Sequence, residues 1–349
     1  MRLSARSESL ITCYFAPSAK LQAANYMHLG IEIGGTKLQL GLGPGDGTIV
    51  GLWRGSVDPA AGAEGIRRQI ISAIPELLQS ARVGPSRLKA AGIGFGGPID
   101  DGTQRIIKSH QISGWDDFPI AQWLSDALKI PAFLGNDADL AGLAEALHGA
   151  GQGYSPIFYI TIGSGIGGGF IVDGEVYRGI GRGAAEIGHL RVLDWRKRSE
   201  PTMSPLEDVA SGWGIGKHAR RLLAEGEGDR SGSLLLQLAH GDIEKVTALL
   251  VAEAAKQNDS FARMILLESL VSLSEAICAI IALLCPQRIV IGGGVSLLGP
   301  KLFFEPLREM VAERVFAPFA GLTEIVPAAL GEAVVVHGAL ALAKGRVGK

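Results

Sequence analysis

The stretch Ile31-Glu32-Ile33-Gly34-Gly35-Thr36-Lys37-Leu38-Gln39-Leu40-Gly41 decides how this chain is read. An apolar, β-prone run enters a turn of two glycines and a hydroxyl residue and leaves as a second apolar run. This is the pattern of a hairpin whose turn offers backbone N–H groups to a phosphate. Lys37 adds a cation, and Glu32 adds an acid suited to the magnesium that accompanies a phosphate. Alone, such a turn is more often plain hairpin chemistry than a phosphate site. The pattern recurs, however, in Tyr159-Ile160-Thr161-Ile162-Gly163-Ser164-Gly165-Ile166-Gly167-Gly168-Gly169-Phe170-Ile171. A further strand, Arg288-Ile289-Val290-Ile291, runs into Gly292-Gly293-Gly294. Two matched hairpins and a third glycine turn predict a protein that grips a nucleotide tail between two halves.

Composition agrees with this and narrows the partners. With 349 residues, 47% of them hydrophobic, the chain buries a large core, and its length favours two domains. A net charge of −2 without a dense Lys/Arg cluster argues against nucleic acid as a partner. Cys13, Cys278 and Cys285 are spaced for neither a zinc site nor a disulfide framework, so a reducing cytoplasm is expected. The apolar stretch 277–285 is far shorter than the roughly 20 residues of a bilayer span and reads as a buried helix, with no membrane partner.

Outward from the first hairpin, strands at 29–33, 37–42 and 49–54 lead to a helical stretch at 64–81, which Pro75 should interrupt. A strand at 89–95, a helix at 120–128 and a short strand at 132–134 follow, and Asn136 opens a helix running to about Gly149. After the second hairpin comes a long loop, then helices from 206 to 284, the strand at 288–291 and a closing helix at 330–344. Strands alternating with helices, with the second half repeating the first, predict an α/β fold of duplicated units. Residues 1–27 read as an N-terminal extension, disordered or a mis-assigned start. The expected domains are a small one at 28–135, completed by a C-terminal helix at 333–347, and a large one at 136–332.

Asn136 and Asp137 stand where a strand hands over to a helix N-terminus, the usual place for ligand groups in open α/β sheets. Helix capping by Asn136 is the plain alternative, but it does not account for Asp137 and Asp139 together. A carboxylate there suits acceptance of a proton from a sugar hydroxyl during phosphoryl transfer. Glu186 and His189 lie three apart in a glycine-flanked segment, and Glu207 and Asp208 follow a loop. Such groups hold sugar hydroxyls, although a helix capped by Ser204 explains Glu207 and Asp208 equally well.

Taken in order, these residues resemble the ROK family of sugar kinases and repressors, within the actin-like ATPase superfamily. The likeness covers nearly all of 28–345. It rests on the 31–37 turn, Gly92-Ile93-Gly94-Phe95-Gly96-Gly97-Pro98-Ile99-Asp100, Gly114-Trp115, Gly135-Asn136-Asp137-Ala138, the 163–169 turn, Glu186-Ile187-Gly188-His189, Leu206-Glu207 and Ile291-Gly292-Gly293-Gly294. The resemblance implies a two-lobed actin-like (ribonuclease H-like) fold with ATP and a hexose meeting in the cleft, and Asp137 as catalytic base. It implies Asn136, Glu186, His189, Glu207 and Gly97 at the sugar. Glu32, Gly34, Gly35, Thr36, Lys37, Gly163, Ser164 and Gly165 would face the phosphates and Mg2+, and Gly292, Gly293 and Gly294 the adenosine.

One departure is large. Family members follow the Gly-His pair with three cysteines that complete a structural zinc site, and residues 190–205 contain none. His189 alone cannot complete a tetrahedral site, so no structural zinc is expected, and Trp195, Pro201 and Pro205 are expected to pin this loop instead. Gly96 stands where proline is common and Gln111 where asparagine often orients the sugar.

The expected activity is ATP-dependent phosphorylation of a glucose-like hexose at its 6-hydroxyl by a cytoplasmic homodimer, the dimer resting on family likeness. Fructokinase, N-acetylhexosamine kinase and polyphosphate-dependent glucokinase are the alternatives within enzymes. A catalytically silent sugar-binding regulator is the alternative of another class. A sugar-sensing repressor is disfavoured because the 26 residues ahead of Met27 are too few for a DNA-binding unit.

Overall fold

The computed structural model describes residues 10–12, 26–109, 111–181, 183–196, 202–226 and 233–347. Most of the expected extension, and Pro201 of the pinned loop, lie outside the described residues. In chain order the first elements are β1 (Leu10–Thr12), β2 (Met27–Ile33), β3 (Lys37–Gly43), β4 (Gly51–Ser56), α1 (Gly62–Ser80) and β5 (Leu88–Phe95). The short ribbon β6 (Ile99–Asp100) and β7 (Arg105–Ile106), α2 (Ile120–Leu128), β8 (Ala132–Asn136) and α3 (Asp137–His148) come next. Then follow β9 (Ile157–Ile162), β10 (Ile166–Val172), β11 (Glu175–Val176), β12 (Arg191–Asp194) and β13 (Thr202–Pro205). Helices α4 (Leu206–Ala210), α5 (Gly212–Glu225), α6 (Leu234–Leu238), α7 (Ala248–Lys256) and α8 (Ser260–Leu284) precede β14 (Arg288–Gly292). The chain ends with α9 (Glu305–Arg314), β15 (Glu324–Pro327) and α10 (Val334–Val347). It packs as two units, one drawn from 1–153, 169–184 and 329–349, the other from 154–168 and 185–328.

The first unit is built on a six-stranded sheet ordered β1-β4-β3-β2-β5-β8. Strands β2, β3 and β4 pair antiparallel, whereas β2, β5 and β8 run parallel. Leu29, Ile31, Ile33, Leu38, Leu40 and Leu42 alternate along β2 and β3 and share a core with Ile66, Ile70, Ile74 and Leu77 of α1 and Ile120 and Leu124 of α2. Pro75 does not break α1. The burial of Ile74, Leu77 and Leu78 around it, roughly 1.5–3 kcal/mol per side chain, offsets the cost of the missing N–H. Glycines line the other face of the sheet, and α10 lies directly on them. A Cβ at Gly92 would overlap the carbonyl oxygen of Ala339, and one at Gly41 would overlap Val336.

In the second unit β9, β14 and β15 run parallel, in the order β9-β14-β15. Ile215, Ala219, Leu222 and Leu223 of α5 pack with Val251, Ala254 and Ala255 of α7 and Ile265 and Leu266 of α8. By length and composition α8 could cross a bilayer, but Leu270, Leu273, Ile277, Ile280 and Ile281 are buried along it, as in a core helix. The segment after Gly188, expected as an open loop, contains the antiparallel ribbon of β12 and β13. Asp194, 2% exposed, ends β12 and takes both Nε (2.7 Å) and Nη2 (2.9 Å) of Arg196. Trp195 is half exposed and donates Nε1–H to Glu275 of α8 at 2.8 Å.

Candidate functional site

At the C-terminal edge of the first sheet, Ile33 of β2 is level with Phe95 of β5, and Phe95 with Asn136 of β8. Gly34, Gly96 and Asp137 therefore leave neighbouring parallel strands side by side, where open α/β sheets hold their ligands. Asn136 caps α3, its Oδ1 accepting from Ala138 N–H at 2.9 Å and Asp139 N–H at 3.2 Å. Its Nδ2 donates to the Gly97 carbonyl at 3.2 Å, which ties the end of β5 to the helix start. Capping and site-building are thus done by the same amide. Asp137 holds Ala138 N–H with Oδ1 at 2.8 Å, and a Cβ at Gly96 would stand 3.2 Å from its Oδ2. Any side chain at 96 would therefore crowd that oxygen.

The first turn is closed by Gly34 N–H donating to the Lys37 carbonyl at 3.0 Å, with Thr36 exposed at its tip. Glu32, 6% exposed, is matched by Lys37 Nζ at 3.0 Å and Gln39 Nε2 at 2.6 Å. Gln39 Oε1 in turn accepts from Arg54 Nε at 2.9 Å. Burial pushes the Glu32 carboxyl above the usual range, and the Lys37 ammonium opposes that. The Gln111 amide lies over Gly35, where a Cβ would overlap its Oε1. Gln39 and Arg54 were not expected at the site, although a glutamine inside the apolar run Leu38-Gln39-Leu40 is the kind of signal that reveals such a group.

In the second unit Gly163 N–H donates to the Gly165 carbonyl at 2.9 Å, closing the second turn. The start of α5 is fastened to it, with Gly212 N–H on the Gly163 carbonyl (2.8 Å) and Trp213 N–H on the Ser164 carbonyl (3.2 Å). Glu207 Oε2 accepts from Ile166 N–H at 2.7 Å, just past the turn, and a Cβ at Gly165 would overlap this carboxylate. Gly293, at φ +85°, packs on the backbone of Ile162, where no side chain fits. Glu186 and His189 share a single helical turn, with His189 N–H on the Glu186 carbonyl at 3.1 Å and both side chains exposed. Leu206 N–H on the Leu190 carbonyl (2.9 Å) brings α4 and its Glu207 to the same place. Ser204 does not cap α4, which begins after Pro205 without a side-chain cap, so the capping explanation of Glu207 fails. Ser204 lies in β13 and donates to Asp194 instead. Among the described residues no group of three or more His, Cys, Asp or Glu is placed to hold a metal ion.

Residues 28–346 match the ROK family. The chain is 33% identical over 328 residues to the glucokinase of Thermotoga maritima, covering 92% of this chain and 98% of that protein. It is also 24% identical over 316 residues to a xylose repressor of Caldicellulosiruptor bescii, covering 90% of this chain and 77% of the repressor. Among solved structures, a ROK family glucokinase from Streptomyces griseus in complex with glucose and AMPPNP superposes with a TM-score of 0.74 at 28% identity, over 91% of this chain and 99% of that one. The fold is the two-lobed actin-like ATPase fold of these sugar kinases.

Proposed function

We propose, since this chain belongs to the ROK family and is a sugar kinase, that it transfers the γ-phosphoryl group of ATP to the 6-hydroxyl of a glucose-like hexose. The observation that carries this reading is the placement of Asp137. Its carboxylate accepts Ala138 N–H at the start of α3, stands at the edge where β2 and β5 also end, and lies beside Gly96, whose lack of a side chain keeps the space next to Oδ2 clear of a Cβ. A base so placed takes the proton of the attacking hydroxyl while the γ-phosphoryl group transfers. Positioning contributes most of the rate in such a loose transition state, and the cap by Asn136 together with its link to Gly97 supplies it.

In this reading Gly97, Asn136, Glu186, His189 and Glu207 hold the sugar. Gly34, Gly35, Thr36 and Lys37 serve the phosphates from the first turn and Gly163, Ser164 and Gly165 from the second, with Gly292, Gly293 and Gly294 toward the adenosine. Glu32, held by Lys37 and Gln39, is the first-turn carboxylate that would face the magnesium accompanying the donor, an ion that would supply neutralisation of phosphate charge. The similar glucokinase from Thermotoga maritima and the glucose-bound relative support glucose as substrate and ATP as donor. A cytoplasmic homodimer completes the reading, the dimer resting on family likeness alone, while the net charge of −2 speaks against a nucleic-acid partner and the burial of α8 against a membrane partner.

The test is ADP release across a panel of glucose, mannose, fructose and N-acetylated hexosamines, with ATP and with polyphosphate. Glucose with ATP should give the highest kcat/KM. Preference for another sugar, or for polyphosphate, replaces that part of the reading. Sugar binding without turnover for any pair marks a silent sugar-binding protein instead.

A further inference from the structure

Trp213 is the second residue of α5 and is 65% exposed. Among the described residues its indole forms no hydrogen bond and stacks on no other ring. An indole left mostly in water at a helix start gains little for folding, since the hydrophobic gain follows the area removed from water. Its backbone, by contrast, is fixed, because Gly212 and Trp213 donate to the carbonyls of Gly163 and Ser164. The side chain therefore emerges within one residue of the second phosphate turn. Gly293 packs against the backbone of Ile162, the residue before that turn. Gly163 and Gly294 both face open space, with no atom within 4 Å of where a Cβ would stand. A bare glycine floor and an unoccupied indole thus lie together beside the turn, all within the second unit.

We propose that Trp213 is the stacking platform for the purine of the phosphoryl donor. The inference rests on the kinase reading above and deepens it by naming the residue that holds the donor's base. An indole offers a flat face of the right size for a purine, and stacking tolerates any base because every base has a π-face. The phosphates are held by the turn and the base by the ring, so a base-free polyphosphate gains nothing from Trp213.

Calorimetric titration of ADP, GDP and pyrophosphate into the full chain and its Trp213→Ala and Trp213→Phe variants tests this directly. Trp213→Ala should weaken ADP and GDP by about tenfold each and leave pyrophosphate unchanged, and Trp213→Phe should restore most of the loss. Equal weakening of all three ligands would show that the ring only supports the turn, and would overturn the proposal. Unchanged ADP affinity would overturn it too, including where the variant alters the oligomeric state and so marks Trp213 as a subunit contact. Trp213-dependent ADP binding without turnover of any hexose would sustain this inference while removing the kinase reading, so the two fail separately.

Discussion

Asp137 and Glu32 are acids at the ends of parallel strands of one sheet, yet their settings assign them different work. Glu32 is buried and held in place beside the first turn by Lys37 and Gln39, which suits a group that faces the donor's phosphates and not the attacking hydroxyl. Asp137 starts α3, accepts Ala138 N–H on Oδ1 at 2.8 Å, and has its Oδ2 next to Gly96, where a Cβ would stand 3.2 Å away. This difference predicts the phenotype of Asp137→Asn. The amide keeps an acceptor for Ala138 N–H and nearly the same volume, but it takes no proton. Turnover should fall by about 10²-fold or more while hexose affinity, read by calorimetry, stays within a few-fold of the parent. Retained turnover would remove Asp137 as the base. The position of Asp137 at a strand-to-helix handover is written in Gly135-Asn136-Asp137, because a capping residue after an apolar strand is a local signal. The pairing of Gln39 with Glu32 is not so written, since it depends on which faces of two strands are brought together.

At the scale of elements, the hairpin turns were legible because glycine and hydroxyl residues between β-prone runs act locally. The close seating of α10 was not. Its closing-helix sequence is evident, but the need for glycine at 41 and 92 appears only once Val336 and Ala339 are known to press on them. The ribbon of β12 and β13 was missed for a similar reason. Its strands are four residues each, and what orders them is distant in sequence, namely Glu275 for Trp195 and Gly214 and Arg221 for Arg196. Within the segment itself, Arg196 forms a bidentate pair with the buried Asp194. Replacing Arg196 with Met takes the guanidinium away from a buried carboxylate, leaving it weaker donors such as Ser204 Oγ at 3.4 Å, and should cost about 3 kcal/mol in urea denaturation. Treating the parent protein with EDTA should leave its Tm unchanged. A drop in Tm on chelation, or no cost for Arg196→Met, would show that something other than this ion pair orders the segment.

The whole molecule is formally close to neutral, so its response to acid is set by particular buried groups rather than by overall repulsion. Three of them are histidines of the first unit, His28 on β2, His148 at the end of α3 and His337 on α10. Each has a buried ring nitrogen without a hydrogen-bond partner, namely His28 Nδ1, His148 Nε2 and His337 Nδ1. Burial is the leading cause that lowers all three below 6.5. Lys344 lowers His28 and His148 further, His148 lowers His337, and Asp46 partly opposes the shift at His148. A histidine depressed in the folded state costs nothing while it is neutral in both states, above about pH 6.5. As pH falls below that value the unfolded chain takes up protons that the folded chain refuses, and stability declines until the folded pKa values are reached. Glu32, raised by burial, acts in the opposite direction, favouring the folded chain as pH drops toward 4.5, but a single partly compensated carboxyl does not cancel three histidines. In the second unit the buried His218 is instead paired with Glu268 at 2.6 Å. Calorimetric unfolding between pH 8 and pH 5.5 should therefore show the transition of the first unit, followed by the fluorescence of Trp53, Trp115 and Trp123, moving to lower temperature ahead of that of the second. Replacing His28, His148 and His337 with Gln, singly and together, should flatten this pH dependence stepwise. An unchanged slope in these variants, or equal movement of both transitions, would place the acid sensitivity elsewhere.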